Sequence, residues 1–497
     1  MKRRKFLKSA GIAVAATSLV GCSKRPVGRP NILFVFADQL RPDMLGPYGG
    51  ANIPTPNLDR LAREGMTFDN ALSTTPLCTP YRGMLLTGRY PTQSGLLLNR
   101  VDVSPQQNPE CMAQLFGAAG YDTGFLGKWH LSAGIRRISE RLAGDAEALE
   151  RYKRENPHYE FTPPGPERLG FEHWEAYNYH TAFRDYWFYR DAPEKIRTGK
   201  YETDALVDQA IEYMGGRAAE DPPFLLLVAP HPPHPPFAPD YCPPGYLERV
   251  RQELAWRDNV PAQAAATLSL QVRCYLAMIL HLDDCLGRLL DFLDDEGLSE
   301  TTLLVVTSDH GEMHGSHGLT GKCYPYAESV DLPLFMRWPG TIAAGSRSAE
   351  LYTPMDHLPT LCTLAGIPRP QQAEGTDLSD LLRGSAAPTR DAVLMATYVA
   401  GYANFRSGGR RPEWRGVRTQ RHTYARRLDG NRFLFDNVDD PYQLRNLADE
   451  RASLRDELES RMTELLAGAD DAFLPGPAYA DWFRERRLVR TGLGPVG

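Results

Sequence analysis

Five short runs of the chain, residues 32–37, 123–126, 224–229, 303–307 and 334–338, are almost free of polar side chains. A strand that is apolar at every position, rather than at alternate ones, must be covered on both faces, the condition of a parallel sheet between helices. Helix signals fill the gaps. Thr55 as N-cap and Pro56 at the first helical position precede Leu58, Leu61 and Ala62 on one face. From about Ala264 to Asp295, Leu276, Ile279, Leu280, Leu286, Leu290 and Leu293 recur at three- and four-residue spacing. The expected fold class is α/β, with a large, mostly parallel sheet flanked by helices. After about Ser385 the pattern shortens to alternating runs at 416–424 and 432–435, then a helix from about Asp449 to Leu466. These predict a small C-terminal antiparallel-sheet subdomain over 386–497, behind a main domain over 31–385. A chain of 497 residues has room for both.

The first residues read as an address. Arg3 and Arg4, followed by Lys5, Phe6, Leu7 and Lys8, form a twin-arginine export motif, and the apolar stretch 11–20 is too short to span a bilayer. Residues 1–21 are therefore expected to be a signal peptide, with 22–30 a tether. Leu19, Val20 and Gly21 before Cys22 match a lipobox, which makes Cys22 the lipidated first residue of the exported protein. The expected location is the periplasm or cell surface, reached through the twin-arginine machinery and held to the membrane by a lipid at Cys22. Removing 1–21 takes away five positive charges, so the formal charge moves from −6 to −11, a balance that argues against a nucleic-acid partner. Cys111, Cys242, Cys274, Cys285, Cys323 and Cys362 sit mostly in apolar runs and read as core thiols, with no pairing deducible.

Two strand ends carry oxygen-rich pairs. The run at 32–37 delivers Asp38 and Gln39, and the run at 303–307 delivers, after Ser308, Asp309 and His310. Ligands of open α/β sheets gather beyond the carboxyl ends of the strands, so these groups could converge on one divalent cation. Cys78, in the run LCTPYRGMLLTGR (77–89), has no CxxC partner and no base beside it, which leaves the protease and redox readings without support.

That run resembles the sulfatase signature. Cys78, Pro80 and Arg82 keep its C-x-P-x-R core, and Leu86, Thr87, Gly88 and Arg89 continue it, with Tyr81 where the family usually has Ser. The resemblance implies an alkaline-phosphatase-like fold and oxidation of Cys78 to formylglycine by a maturation enzyme. It places the cation among Asp38, Gln39, Cys78, Asp309 and His310. Gln39 and His310 depart from the family's frequent Asp and Asn, and because imidazole suits transition metals they make the site less purely calcium-like; Ca²⁺ is still expected first, with Mn²⁺ or Mg²⁺ behind it.

The segment GYDTGFLGKWH (120–130) is similar to the second sulfatase signature. It brings Lys128 to sulfate oxygens and His130 to the formylglycine hydroxyls. In PHPPHPPF (230–237), His234 matches the substrate histidine and is assigned as general acid to the leaving alcohol, with His231 beside it as a substrate contact; the two could exchange roles. Lys322 resembles the lysine that bridges sulfate and leaving group, and Arg82 would anchor formylglycine and the metal carboxylates. His314 and His317 read as loop-stabilising.

Segments 353–367 and 434–448 extend the likeness over 31–448, while the polar stretch 134–166 reads as an insertion near the site mouth. In YNYHTAFRDYWFYR (177–190), His180 and Arg184 either line a sugar subsite or belong to a packed loop. The implied function is hydrolysis of sulfate esters on a sulfated sugar or glycan. The alternatives are a phosphonate monoester or phosphodiester hydrolase of the same superfamily, and a non-catalytic glycan-binding lipoprotein.

Overall fold

The computed structural model describes residues 28–134, 145–155, 160–217, 221–385, 390–399 and 413–485. The expected signal peptide, Cys22 and most of the tether lie outside them, as does much of the stretch 134–166, of which the helix Ala146–Glu155 is described.

The main sheet is built from β1 (Asn31–Ala37), β2 (Met66–Leu72), β3 (Asp122–Lys128), β4 (His173–Tyr177), β5 (Phe224–Ala229), β6 (Thr302–Ser308), β7 (Leu334–Arg337) and β8 (Ser346–Tyr352). Their order is β8-β2-β7-β6-β1-β5-β3-β4, with the two-residue strand Asp331–Leu332 beside β2. β1 is central and parallel to β5 and β6, and β3 is parallel to β5 and β4. The run at 334–338 does form a strand, β7, but one antiparallel to both its neighbours.

The apolar runs are explained by cover on both sides. Ile32, Phe34 and Phe36 of β1 enter one core, and Leu33, Val35 and Ala37 enter the other, as the two-residue period of a strand dictates. On the Leu33 side lie the helices α1 (Pro56–Glu64), α3 (Glu202–Gly215) and α4 (Ala262–Asp295). On the Phe34 side lie α2 (Cys78–Thr87) and the helix His357–Leu364. β2 and β8, at one side of the sheet, have mixed exposure and gave no apolar run to find.

The C-terminal sheet has the antiparallel order β9 (Ala392–Thr397), β10 (Trp414–Thr419), β11 (His422–Arg427), β12 (Arg432–Asp436), and α5 (Ala452–Gly468) packs Leu458, Met462 and Leu466 on it. The expected single run at 416–424 is two strands. The Thr419 hydroxyl accepts from the backbone N–H of Arg421 and of His422, at 3.2 and 2.8 Å, and so makes the turn between them. This small sheet is not detached: Trp414 Nε1 donates to the carbonyl of Cys323, next to Lys322, at 3.0 Å.

Candidate active site

β1 and β6 end in register, Ala37 opposite Ser308, so Asp38 and Asp309 leave the sheet side by side. α2 begins at Cys78, which puts the thiol at the positive end of a ten-residue helix aimed at these carboxylates. Around Cys78 Sγ stand His310 Nε2 at 3.3 Å, Lys322 Nζ at 3.4 Å, and Asp38 Oδ1 and Lys128 Nζ at 3.8 Å. Lys128 also donates to Asp38 Oδ2 at 2.5 Å. Arg82, one turn along α2, reaches Asp38 at 3.3 Å and Asp309 at 3.4 Å through Nη2 and donates through Nη1 to the carbonyl of Lys128. Its guanidinium thus fixes both carboxylates and the strand end that carries the lysine. All of these groups are buried, Lys322 the least at 8% exposed.

The electrostatics set the two carboxylates apart. Burial works to raise Asp38, but Lys128, His234, Lys322 and His310 outweigh it and hold the carboxyl well below its ordinary range. For Asp309, burial and the neighbouring Asp38 charge win, and it is pushed up to about 7. Two adjacent buried carboxylates with too little positive charge to ionise both suit a divalent cation. His310 completes the donor set. Its Nδ1 donates to the carbonyl of Gly311 at 3.1 Å, which leaves Nε2 as the lone-pair nitrogen, 3.4 Å from Asp309 and 3.7 Å from Asp38. Gln39 is held by Glu312, which accepts from its Nε2, so that Oε1 faces inward and accepts from Lys322 at 2.8 Å. The backbone of Gln39 is left-handed at φ 69, and that of His130 at φ 56, an uncommon state for residues with side chains and one that clusters at functional sites.

Three more histidines stand around this cluster, and of these His130 and His231 are fully buried. His234 Nδ1 donates to the carbonyl of Pro235 at 2.8 Å, leaving Nε2 4.0 Å from Asp38. His231 lies 4.3 Å from it, ring to ring; its Nδ1 donates to the carbonyl of His180 and its backbone N–H to Glu202. Both ring nitrogens of His130 are buried without a protein partner, and the ring lies 5.0 Å from that of Tyr179. Burial first and neighbouring cations second hold His130 and His231 well below the ordinary imidazole range, and burial does the same for His234 against the opposing charge of Asp38.

His180 and Arg184 do different work. The His180 ring stacks on Tyr177 at 3.7 Å, with one nitrogen on the carbonyl of Trp187 and the other accepting from the Ala182 N–H. Arg184 donates to the carbonyls of Cys242 and Pro239. Both pin loops, and the packed-loop alternative describes their contacts. His314 packs on Tyr275 and Phe237, and His317 stacks on Tyr326. Tyr81, the departure in the signature, is a fully buried core ring beside Phe36, so the substitution fills space. Sequence reasoning missed Glu312, Glu202 and Tyr179. The Tyr179 ring lies beneath Lys128 Nζ at 5.1 Å and Arg100 at 4.9 Å, and faces His130, His231 and His234.

A sulfatase family model matches residues 30–367, and the model of the N-sulphoglucosamine sulphohydrolase C-terminal region matches 315–468. The chain belongs to the sulfatase family. An ulvan-active sulfatase of Formosa agariphila is 35% identical over 90% of this chain and 82% of its own length. An endo-4-O-sulfatase of Bacteroides thetaiotaomicron is 30% identical over 92% and 94%. Among solved structures, one from Bacteroides thetaiotaomicron, described with its metabolism of multiple glycosaminoglycans, superposes with a TM-score of 0.78 at 27% identity, covering 93% of this chain and 99% of that one. This sulfatase is a sulfuric ester hydrolase. The Cys78, strand-end and Lys322 residues described above all fall within the matched 30–367, and the C-terminal model begins before Lys322.

Proposed function

We propose that this sulfatase removes sulfate from a sulfated sugar or glycan, using formylglycine made from Cys78 as the nucleophile and a divalent cation, calcium by preference, as electrophile. The observation that carries the reading is the convergence of His310, Lys322, Lys128 and Asp38 within 3.8 Å of one thiol. The thiol stands where the two hydroxyls of hydrated formylglycine would be. One hydroxyl serves for attack on sulfur, and the other, once deprotonated, expels sulfate and restores the aldehyde. Asp38, Gln39 Oε1, Asp309 and His310 Nε2 would hold the cation, with oxygen donors in the majority as calcium prefers. When bound it supplies Lewis-acid stabilisation of a sulfate oxygen and acidifies the attacking hydroxyl.

The side chains divide the remaining work. Lys128 and Lys322 bind sulfate oxygens from buried positions, where fixed charge acts most strongly. The negative charge of the bound sulfate ester favours the doubly protonated His234, which gives its Nε2 proton to the leaving alcohol oxygen as the ester S–O bond breaks, while Nδ1 keeps its own proton on the Pro235 carbonyl. His130, whose nitrogens have no protein partner, takes the proton of the second hydroxyl when sulfate departs. A sugar substrate is supported by the relatives: one is named ulvan-active, another an endo-4-O-sulfatase, and the C-terminal family model is that of an N-sulphoglucosamine sulphohydrolase.

The deciding experiment is peptide mass spectrometry of Cys78 in active protein, joined to sulfate release from a panel of defined sulfated saccharides and compared with aryl phosphonate and phosphodiester turnover. An unmodified thiol in fully active protein, or preference for the phosphorus substrates, overturns the proposal. Export belongs to the same reading: Arg3, Arg4 and Cys22 would carry the matured protein through the twin-arginine route to a lipid anchor. Labelling with a fatty-acid analogue, lost in Cys22→Ala, tests that part.

A further inference from the structure

Away from the active site, α3 and α4 bring three different donors together. His281 and Cys285 lie one turn apart on α4, and Asp204 faces them from the first turn of α3. His281 Nε2 is 3.0 Å from Asp204 Oδ2, Cys285 Sγ is 3.7 Å from Asp204 Oδ1, and Cys285 Sγ is 3.8 Å from His281 Nε2. A tetrahedral zinc ion with bonds of about 2.0–2.3 Å separates its nitrogen, oxygen and sulfur ligands by about 3.3–3.6 Å. The three atoms therefore already outline one face of such a tetrahedron.

We infer that Asp204, His281 and Cys285 form a second metal site, selective for a soft or borderline divalent cation of the zinc class. The donor chemistry carries the choice of ion. A thiolate and an imidazole favour zinc over calcium or magnesium, the reverse of the oxygen-rich catalytic set. The imidazole is held in place before any ion arrives, because Tyr201 and Tyr246 meet His281 edge-on at 4.9 and 4.8 Å. His281 and Cys285 are 3% and 2% exposed, while Asp204 lines a cavity of about 570 Å³ with Lys200, Asp208 and Arg288. The cavity supplies water as fourth ligand. Arg288 Nη1 is 3.6 Å from Asp204, but its other nitrogen pairs with Asp208, and as a half-exposed side chain it can stay there when Asp204 turns to the ion. The bound ion cross-links α3 to α4.

The test uses the full chain as Cys78→Ser, so that no thiolate remains in the catalytic cluster, titrated with Co²⁺ and followed by absorption. A thiolate-to-cobalt charge-transfer band at one equivalent is expected. It should vanish in Cys78→Ser/Cys285→Ser and persist in Cys78→Ser/Asp309→Asn. No band in the Cys78→Ser chain, or an undiminished band once Cys285 is replaced, overturns the assignment. Should the Cys285 variant fail to fold, Asp204→Asn replaces it, since its carboxylate reaches the surface. A fall in Co²⁺ affinity of at least about tenfold is expected, and unchanged affinity overturns the inference. The readout is independent of sulfate hydrolysis.

Discussion

The side-chain amide of Gln39 donates its N–H to Glu312, and that one bond turns the amide oxygen toward Lys322 and the proposed cation site. Glu312 is itself anchored by the backbone N–H of His314 at 3.3 Å and by that of Gly321. Replacing it as Glu312→Gln lets the Gln39 amide turn its N–H inward, where it repels a cation. The variant should need about 10–100-fold more metal for half-maximal activity, with full activity regained in excess. Metal titration of the stripped enzyme checks this, and identical titration curves for the two proteins refute it.

His234 and His231 are told apart by leaving group. His234 turns Nε2 toward the site, 4.0 Å from Asp38, whereas His231 is fully buried behind it and tied to His180. His234→Ala should therefore lower kcat/KM by about 10²–10⁴ on sugar sulfates, whose alcohols leave poorly, and far less on aryl sulfates with acidic phenols. His231→Ala should affect both kinds equally. The reverse pattern in a leaving-group series would exchange the two roles.

Glu202 makes stability depend on pH. Burial raises its carboxyl from 4.5 to about 7, although Tyr177 and the His231 backbone donate to it. Between these values the folded chain holds a proton that the unfolded chain has released. Its contribution is thus complete below pH 4.5 and is lost as pH rises through about 7, by up to about 3 kcal/mol. Glu202→Gln keeps the shape without the charge and should flatten that part of the profile. Glu160 is also raised by burial to about 7, so the difference between parent and variant in urea unfolding is what isolates Glu202.

Arg82 is not replaceable by lysine. One guanidinium reaches Asp38, Asp309 and the Lys128 carbonyl together, whereas an ammonium on a flexible stem cannot hold all three. Arg82→Lys should cost about 3–5 kcal/mol, as breaking buried ion pairs does, and weaken metal binding. Chemical denaturation and metal content of the purified variant check it; a variant as stable as the parent contradicts the bridging role.

What could be read from the chain follows from where information is local. The apolar runs announced β1, β3, β5, β6 and β7 because burial on both faces leaves its mark residue by residue. Asp38, Gln39, Asp309 and His310 were legible because a polar pair after such a run sits at a strand end. β2 and β8 were not, since partial exposure erases the pattern. Glu312 and Tyr179 act through contacts across 273 residues for Gln39–Glu312 and through ring geometry around Lys128, neither of which has a sequence period. The direction of β7 was hidden because an apolar run is the same read either way.

The bond from Trp414 to the Cys323 carbonyl joins the last quarter of the molecule to the residue next to Lys322. Cys323 has a left-handed backbone at φ 71, and its thiol donates to the carbonyl of Pro76, two residues before Cys78. Held by the indole, Cys323 thus braces the loop that bears Lys322 against the segment that leads into α2 and Cys78. The boundary between the two sheets is consequently not a place where the chain can be cut or recombined freely: a graft of the small sheet from another sulfatase would arrive as a change in where the Lys322 ammonium stands relative to Cys78.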